Sequence, residues 1–126
     1  MKNSKNLHLL VSVFLIVPVA LVYGLLPDKL LPELFDFTVN TTDLSNMFRA
    51  IMGLYLGMAV FWIIGIMKPK FWLAATIVNV IFMGSLAGGR LLSCLIDGTP
   101  GIALVIGLIV EVLLAFWGIR NLKKYQ

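Results

Sequence analysis

Residues 79–97 read N-V-I-F-M-G-S-L-A-G-G-R-L-L-S-C-L-I-D, an apolar run that carries Arg90 in its interior. At helical spacing Asn79, Met83, Leu86, Arg90, Ser93 and Asp97 fall on one stripe, so the run reads as a helix with one polar face. A charge inside such a run costs about 2.5–3.5 kcal/mol on insertion scales, so it is normally paired or faces a cavity. Arg90 therefore needs a partner. The most deeply placed acid in the chain is Glu111, one apolar segment later.

The rest of the chain supplies the setting. It has 126 residues, one domain's worth, with 60% hydrophobic and 13% charged residues. Its mean hydropathy is +1.00. Soluble domains are typically about 25% charged, and a chain this short cannot bury so much apolar surface internally, so the excess must face lipid. The formal charge is +4, from ten Lys/Arg against six Asp/Glu. The cations sit mostly at the ends of apolar runs rather than on one exposed face, which points to membrane topology and away from nucleic acid. One cysteine, Cys94, and one histidine, His8, build neither a disulfide nor a metal centre, and no cofactor motif is present.

Four runs of membrane-crossing length follow from Leu7–Leu26, Met47–Met67, Phe71–Leu92 and Gly101–Ile119. The first follows a basic head, Met1–Asn6. It is long for a signal peptide and ends in the poor cleavage site Val22-Tyr23-Gly24, so it reads as a retained helix, kinked at Pro18. The second and third carry Gly53-x-x-x-Gly57 and Gly84-x-x-x-Gly88, spacings that allow close helix approach and are expected to serve packing within the chain. Residues 27–46 form the one substantial loop. It contains four of the six acids together with Leu30, Leu31, Leu34, Phe35 and Phe37, and reads either as an interfacial helix or lid or as a loop tucked against the helix ends. Asp43 or Ser45 is the expected N-cap of the second span. Asp97-Gly98-Thr99-Pro100 marks the turn between the third and fourth.

Four crossings put Lys2, Lys5, Lys68, Lys70, Arg120, Lys123 and Lys124 on one side, together with both termini. The positive-inside rule makes that side cytoplasmic and the 27–46 loop external. The expected architecture is an all-α, four-transmembrane-helix bundle in the cell's inner membrane. Trp62, Trp72 and Trp117 fall toward the cytoplasmic ends, as in an aromatic belt.

Depth counted from the cytoplasmic ends alters the first pairing. Arg90 lies 19 residues beyond Phe71, about 28 Å along the helix, whereas Glu111 lies eight residues, about 12 Å, from Ile119. Asn79, eight residues beyond Phe71, matches Glu111 and becomes its expected partner. Arg90 then joins Arg49 as an outer basic pair with Asp97 or a loop acid as counter-ion. The alternatives are arginines that snorkel to headgroups, a structurally hydrogen-bonded Glu111, and a packing amide at Asn79.

The segments R-A-I-M-G-L-Y-L-G-M-A-V-F-W (49–62), G-G-R-L-L-S (88–93) and D-G-T-P (97–100), with an acid in the last span, resemble a family of small bacterial four-helix membrane proteins. That family is known as a domain of unknown function and is distantly similar to DoxX-like proteins. The resemblance runs from about Leu7 to Gly118. It implies fold and location, with Arg49, Gly53, Gly57, Gly89, Arg90, Ser93, Asp97, Gly98, Pro100 and Glu111 as motif residues, and it implies no activity. The expectation is a non-enzymatic protein with no catalytic or metal residue and no cofactor. It would hold an anionic lipid or small molecule through Arg49, Arg90, Asp97, Asn79 and Glu111. The competing expectation is a structural subunit whose glycine faces pack against a membrane protein partner.

Overall fold

The computed structural model describes residues 4–126, so Lys2 lies outside the described residues. It is all helical: α1 (Leu7–Gly24) after a single 3-10 turn, α2 (Pro27–Leu34), α3 (Thr42–Met67), α4 (Pro69–Asp97) and α5 (Ile102–Tyr125). The four helices other than α2 are long and apolar enough to cross a membrane. Their outward faces carry bulky apolar residues, among them Phe14, Val60, Ile81, Leu113 and Phe116. In water such a surface would aggregate; in lipid it needs no cover.

Each boundary has a local cause. Pro18 lies inside α1, which remains one helix through it. The second long helix begins one turn earlier than hydropathy indicated, because the Thr41 hydroxyl, and neither Asp43 nor Ser45, caps it by accepting from the Leu44 N–H at 3.1 Å. At the other end of the hairpin, α4 runs to Asp97 and stops at Gly98, whose φ of +98° suits glycine alone. α5 extends past its apolar stretch to Tyr125, through the basic tail.

The chain runs up, down, up and down. α1 packs along α3, α3 along α4 and α4 along α5, while α1 and α5 touch over only a short seam. That seam lies at the end of the bundle holding both chain termini, where His8 of α1 meets Asn121 and Trp117 of α5. At this terminal end the core is dense. Trp62 and Trp72 are buried inside it rather than facing headgroups, and the Trp72 indole N–H donates to the Lys5 carbonyl at 3.1 Å. At the opposite end, α2 and residues 35–41 fold over the helix tips with Leu31 and Val39 buried. Residues 27–46 therefore combine both expectations: a short helix, and apolar side chains tucked inward.

Glycines divide sharply between contact and open space. A Cβ at Gly65 would collide with Ala75 across the α3–α4 turn, and one at Gly24 would collide with Met52. Gly53, Gly57, Gly84 and Gly88 have nothing within 4 Å of that position. The two G-x-x-x-G faces thus point outward, contrary to the expectation that they pack within the chain. Gly65→Ala is accordingly expected to lower thermal stability in detergent by about 1–3 kcal/mol through overpacking. Gly57→Ala is expected to leave it unchanged or raise it by up to about 1 kcal/mol, since alanine is the better helix former.

Candidate functional site

Arg90 on α4 forms an ion pair with Glu111 on α5. Its Nε donates to both carboxylate oxygens, at 2.9 and 3.1 Å. The side chains retain 24% and 11% of their exposure, so the pair is largely withdrawn from solvent. This reinstates the pairing suggested by the charge pattern and overturns the depth-matched one. Counted from the α4–α5 turn, Arg90 is seven residues before Asp97 and Glu111 nine after Ile102. At ~1.5 Å per residue the two depths are about 10 and 14 Å, within reach of an arginine side chain. The count from the cytoplasmic ends failed because α5 continues six residues beyond Ile119, which displaced Glu111 by about 9 Å.

The other expected site residues separate. Arg49 does not join Arg90. Its Nη1 donates to the Gly24 and Leu25 carbonyls at 2.7 and 3.2 Å. These are unsatisfied groups at the C-terminal end of α1, where a cation also meets the favourable end of the helix dipole. Asp97 accepts a hydrogen bond from the Ser93 hydroxyl at 2.7 Å, one turn away on an exposed surface. Asn79 is fully buried, and neither of its amide atoms has a hydrogen-bond partner. Its neighbourhood is at the terminal end beside Gly118 and His8, away from Glu111.

Two cavities meet at Arg90. The first, of about 460 Å³, is lined by aromatic rings from α1, α3 and the loop, including Tyr23, Phe35, Phe37, Phe48 and Tyr55, and by Ser93 and Cys94 of α4. The second, of about 360 Å³, is an apolar cleft between α1 and α5, walled by residues such as Ile16, Val19, Val22, Gly107 and Val110. Tyr23, Phe35, Tyr55, Leu104 and Arg90 line both. The rings interlock: Phe37 stacks on Phe48 at 5.7 Å between centroids, and Tyr23 meets Tyr55 edge-on at 5.8 Å. Such offset and edge contacts fix the wall without filling it.

The guanidinium is only partly used. Arginine has five N–H donors, and Glu111 engages the one on Nε. Among the described residues, the Tyr23 hydroxyl approaches the guanidinium as a second hydrogen-bonding neighbour, and the terminal amino groups have no closer protein partner. The site therefore presents a charge-neutral ion pair with a partly engaged donor fork, at the junction of an aromatic chamber and an apolar cleft. Sequence reasoning found Arg90 and Glu111 from their charge. It missed Tyr23 and Tyr55, because a tyrosine in an apolar span gives no signal separating a cavity wall from a packed core.

Removing one partner of such a pair leaves an uncompensated charge. Arg90→Met or Glu111→Leu alone is expected to cost roughly 3 kcal/mol in detergent unfolding, and the double variant less than either single change. Additive losses would show that the two side chains do not interact.

No curated protein and no solved structure matches the chain. Residues 4–120 match the model of a domain of unknown function, DUF4345. That match covers the paired residues, both cavities, three of the four long helices and most of α5, so the chain belongs to the DUF4345 family.

Proposed function

We propose that this chain is a multi-pass protein of a bacterial cytoplasmic membrane, with both termini in the cytoplasm, that binds a small amphiphile in the cavities around Arg90. The observation carrying this reading is the donor fork of Arg90, only partly engaged by Glu111 and Tyr23, where a polar aromatic chamber meets an apolar cleft. A planar guanidinium recognises phosphate or carboxylate oxygens through two parallel N–H bonds. The ligand class is therefore an anionic lipid headgroup or a small carboxylate, its apolar part lying in the cleft. Glu111 keeps the guanidinium oriented and lowers the cost of holding that charge at depth. Arg49, already bonded to α1, has no part in ligand binding. The distant likeness to DoxX-like proteins belongs to the same membrane setting and adds no chemistry.

A second reading has its own support. The outward Gly53-x-x-x-Gly57 and Gly84-x-x-x-Gly88 faces suit close approach by another membrane helix, as in an accessory subunit of a larger complex. Recovery from mild detergent as a lone monomer would count against it.

Two experiments address the binding reading. Purified protein is equilibrated with phosphatidylglycerol, phosphatidylcholine or hexanoate, and retained ligand is measured. Arg90→Gln/Glu111→Gln removes the charged pair without leaving a lone ion, and is expected to weaken retention of the anionic probes about tenfold, the worth of one charged hydrogen bond. Arg49→Gln is expected to leave it unchanged. Equal retention by a folded double variant overturns the reading. Cys94, the single cysteine, lies near the loop end and lines the first cavity. A membrane-impermeant maleimide is expected to label it from outside the cell and not in inside-out vesicles; the reverse pattern would invert the topology.

A further inference from the structure

The terminal half of the bundle holds a second polar cluster that the ligand reading does not use. His8 of α1 and Thr76 and Asn79 of α4 are each fully buried, and Asn121 of α5 is nearly so. His8 Nε2, Thr76 Oγ1 and both amide atoms of Asn79 have no hydrogen-bond partner in the protein. Buried polar groups are almost always satisfied, so four orphaned atoms here require a common cause.

We propose that His8, Thr76 and Asn79 form an internal water-binding site. His8 and Asn79 converge at Gly118. His8 Cδ2 and Asn79 Oδ1 both lie 3.7 Å from the point a Cβ there would occupy, and the missing side chain brings α1, α4 and α5 together. Thr76 and Asn79 sit three residues apart on the same helical face. The backbone does not satisfy Thr76 in the way that it satisfies Ser12, whose hydroxyl donates to the His8 carbonyl at 2.8 Å.

The donor and acceptor balance fits water. Asn121 Nδ2 lies 2.8 Å from His8 Nδ1 and 3.5 Å from the Lys5 carbonyl oxygen. In the tautomer whose Nδ1 accepts from Asn121, the His8 ring proton is on Nε2. The site then offers two donors, His8 Nε2–H and Asn79 Nδ2–H, and two acceptors, Asn79 Oδ1 and the Thr76 hydroxyl. One water molecule accepts two bonds and donates two. A buried water typically makes about three such bonds.

The site is separate from the Arg90–Glu111 layer. Gly118 and Glu111 are seven residues apart on α5, about 10 Å. Between them the buried Ile16, Met83 and Leu114 form an apolar floor beneath the second cavity. The bundle therefore has a hydrated polar layer at its terminal half and a charged layer in its loop half, insulated from one another.

A high-resolution structure of the full chain in lipid tests this. A water oxygen is expected within about 3.2 Å of at least three of the four atoms. No such oxygen, or direct pairing of Asn79 with His8 or Thr76, overturns the proposal. The sign of a stability change gives a second readout. With a bridging water, Asn79→Leu strands His8 Nε2 and Thr76 Oγ1 and lowers the melting temperature. In a dry site leucine would relieve two unpaired atoms, so an unchanged or raised melting temperature overturns the proposal.

Discussion

The Arg90–Glu111 ion pair is the constraint around which the loop half of the bundle is built. Neither charge is tolerable alone at this depth, and together they still carry a desolvation penalty. Good geometry and residual polarity offset it. One nitrogen reaches both carboxylate oxygens, and the cavity walls carry tyrosine hydroxyls and serines rather than hydrocarbon alone. Filling the cavities with apolar side chains would pack the helices better but would seal the guanidinium in a medium that cannot solvate it. A pair that keeps part of its exposure accounts for the looseness of this half.

Packing elsewhere compensates. The terminal half is closed by Trp62 and Trp72, by the His8–Asn121 and Trp72–Lys5 hydrogen bonds, and by glycines that let the backbones meet. Arg49 fixes the other end of α1 by bonding to its last carbonyls. With α1 held at both ends, the gap between α1 and α5 is a property of the middle of the seam rather than a failure to close. In the proposed membrane setting a cleft of that kind would open to the hydrocarbon, where an amphiphile's apolar part would already be.

Much of this was legible in the sequence, and the exceptions have definite causes. The four long helices, the basic terminal end and the importance of Arg90 and Glu111 all follow from hydropathy and the cost of a lone charge. The depth-matched pairing differs from the structure because apolar content ends the helices at Leu92 and Ile119, whereas hydrogen bonding carries them to Asp97 and Tyr125. Short polar tails lie outside the hydrocarbon and remain helical, so hydropathy is the wrong ruler for depth there. The expected pairing of Arg49 with Arg90 fails because a helix C-terminus on another segment, the one Arg49 bonds, is invisible to local sequence. A lone His8 gives no local signal, because its hydrogen-bond partner Asn121 lies 113 positions away. Such long-range polar clusters appear only once the helices are assembled.

The pairing of Arg90 with Glu111 can be tested directly by a heteronuclear distance measurement on the full chain in lipid bilayers, between ¹⁵Nε of Arg90 and the ¹³Cδ carboxyl carbon of Glu111. Oxygens at 2.9 and 3.1 Å place that carbon within about 4 Å of the nitrogen, so strong dipolar dephasing is expected. No dephasing at Arg90, together with close coupling between Glu111 and the Asn79 side-chain amide, would contradict the pairing and the site built on it.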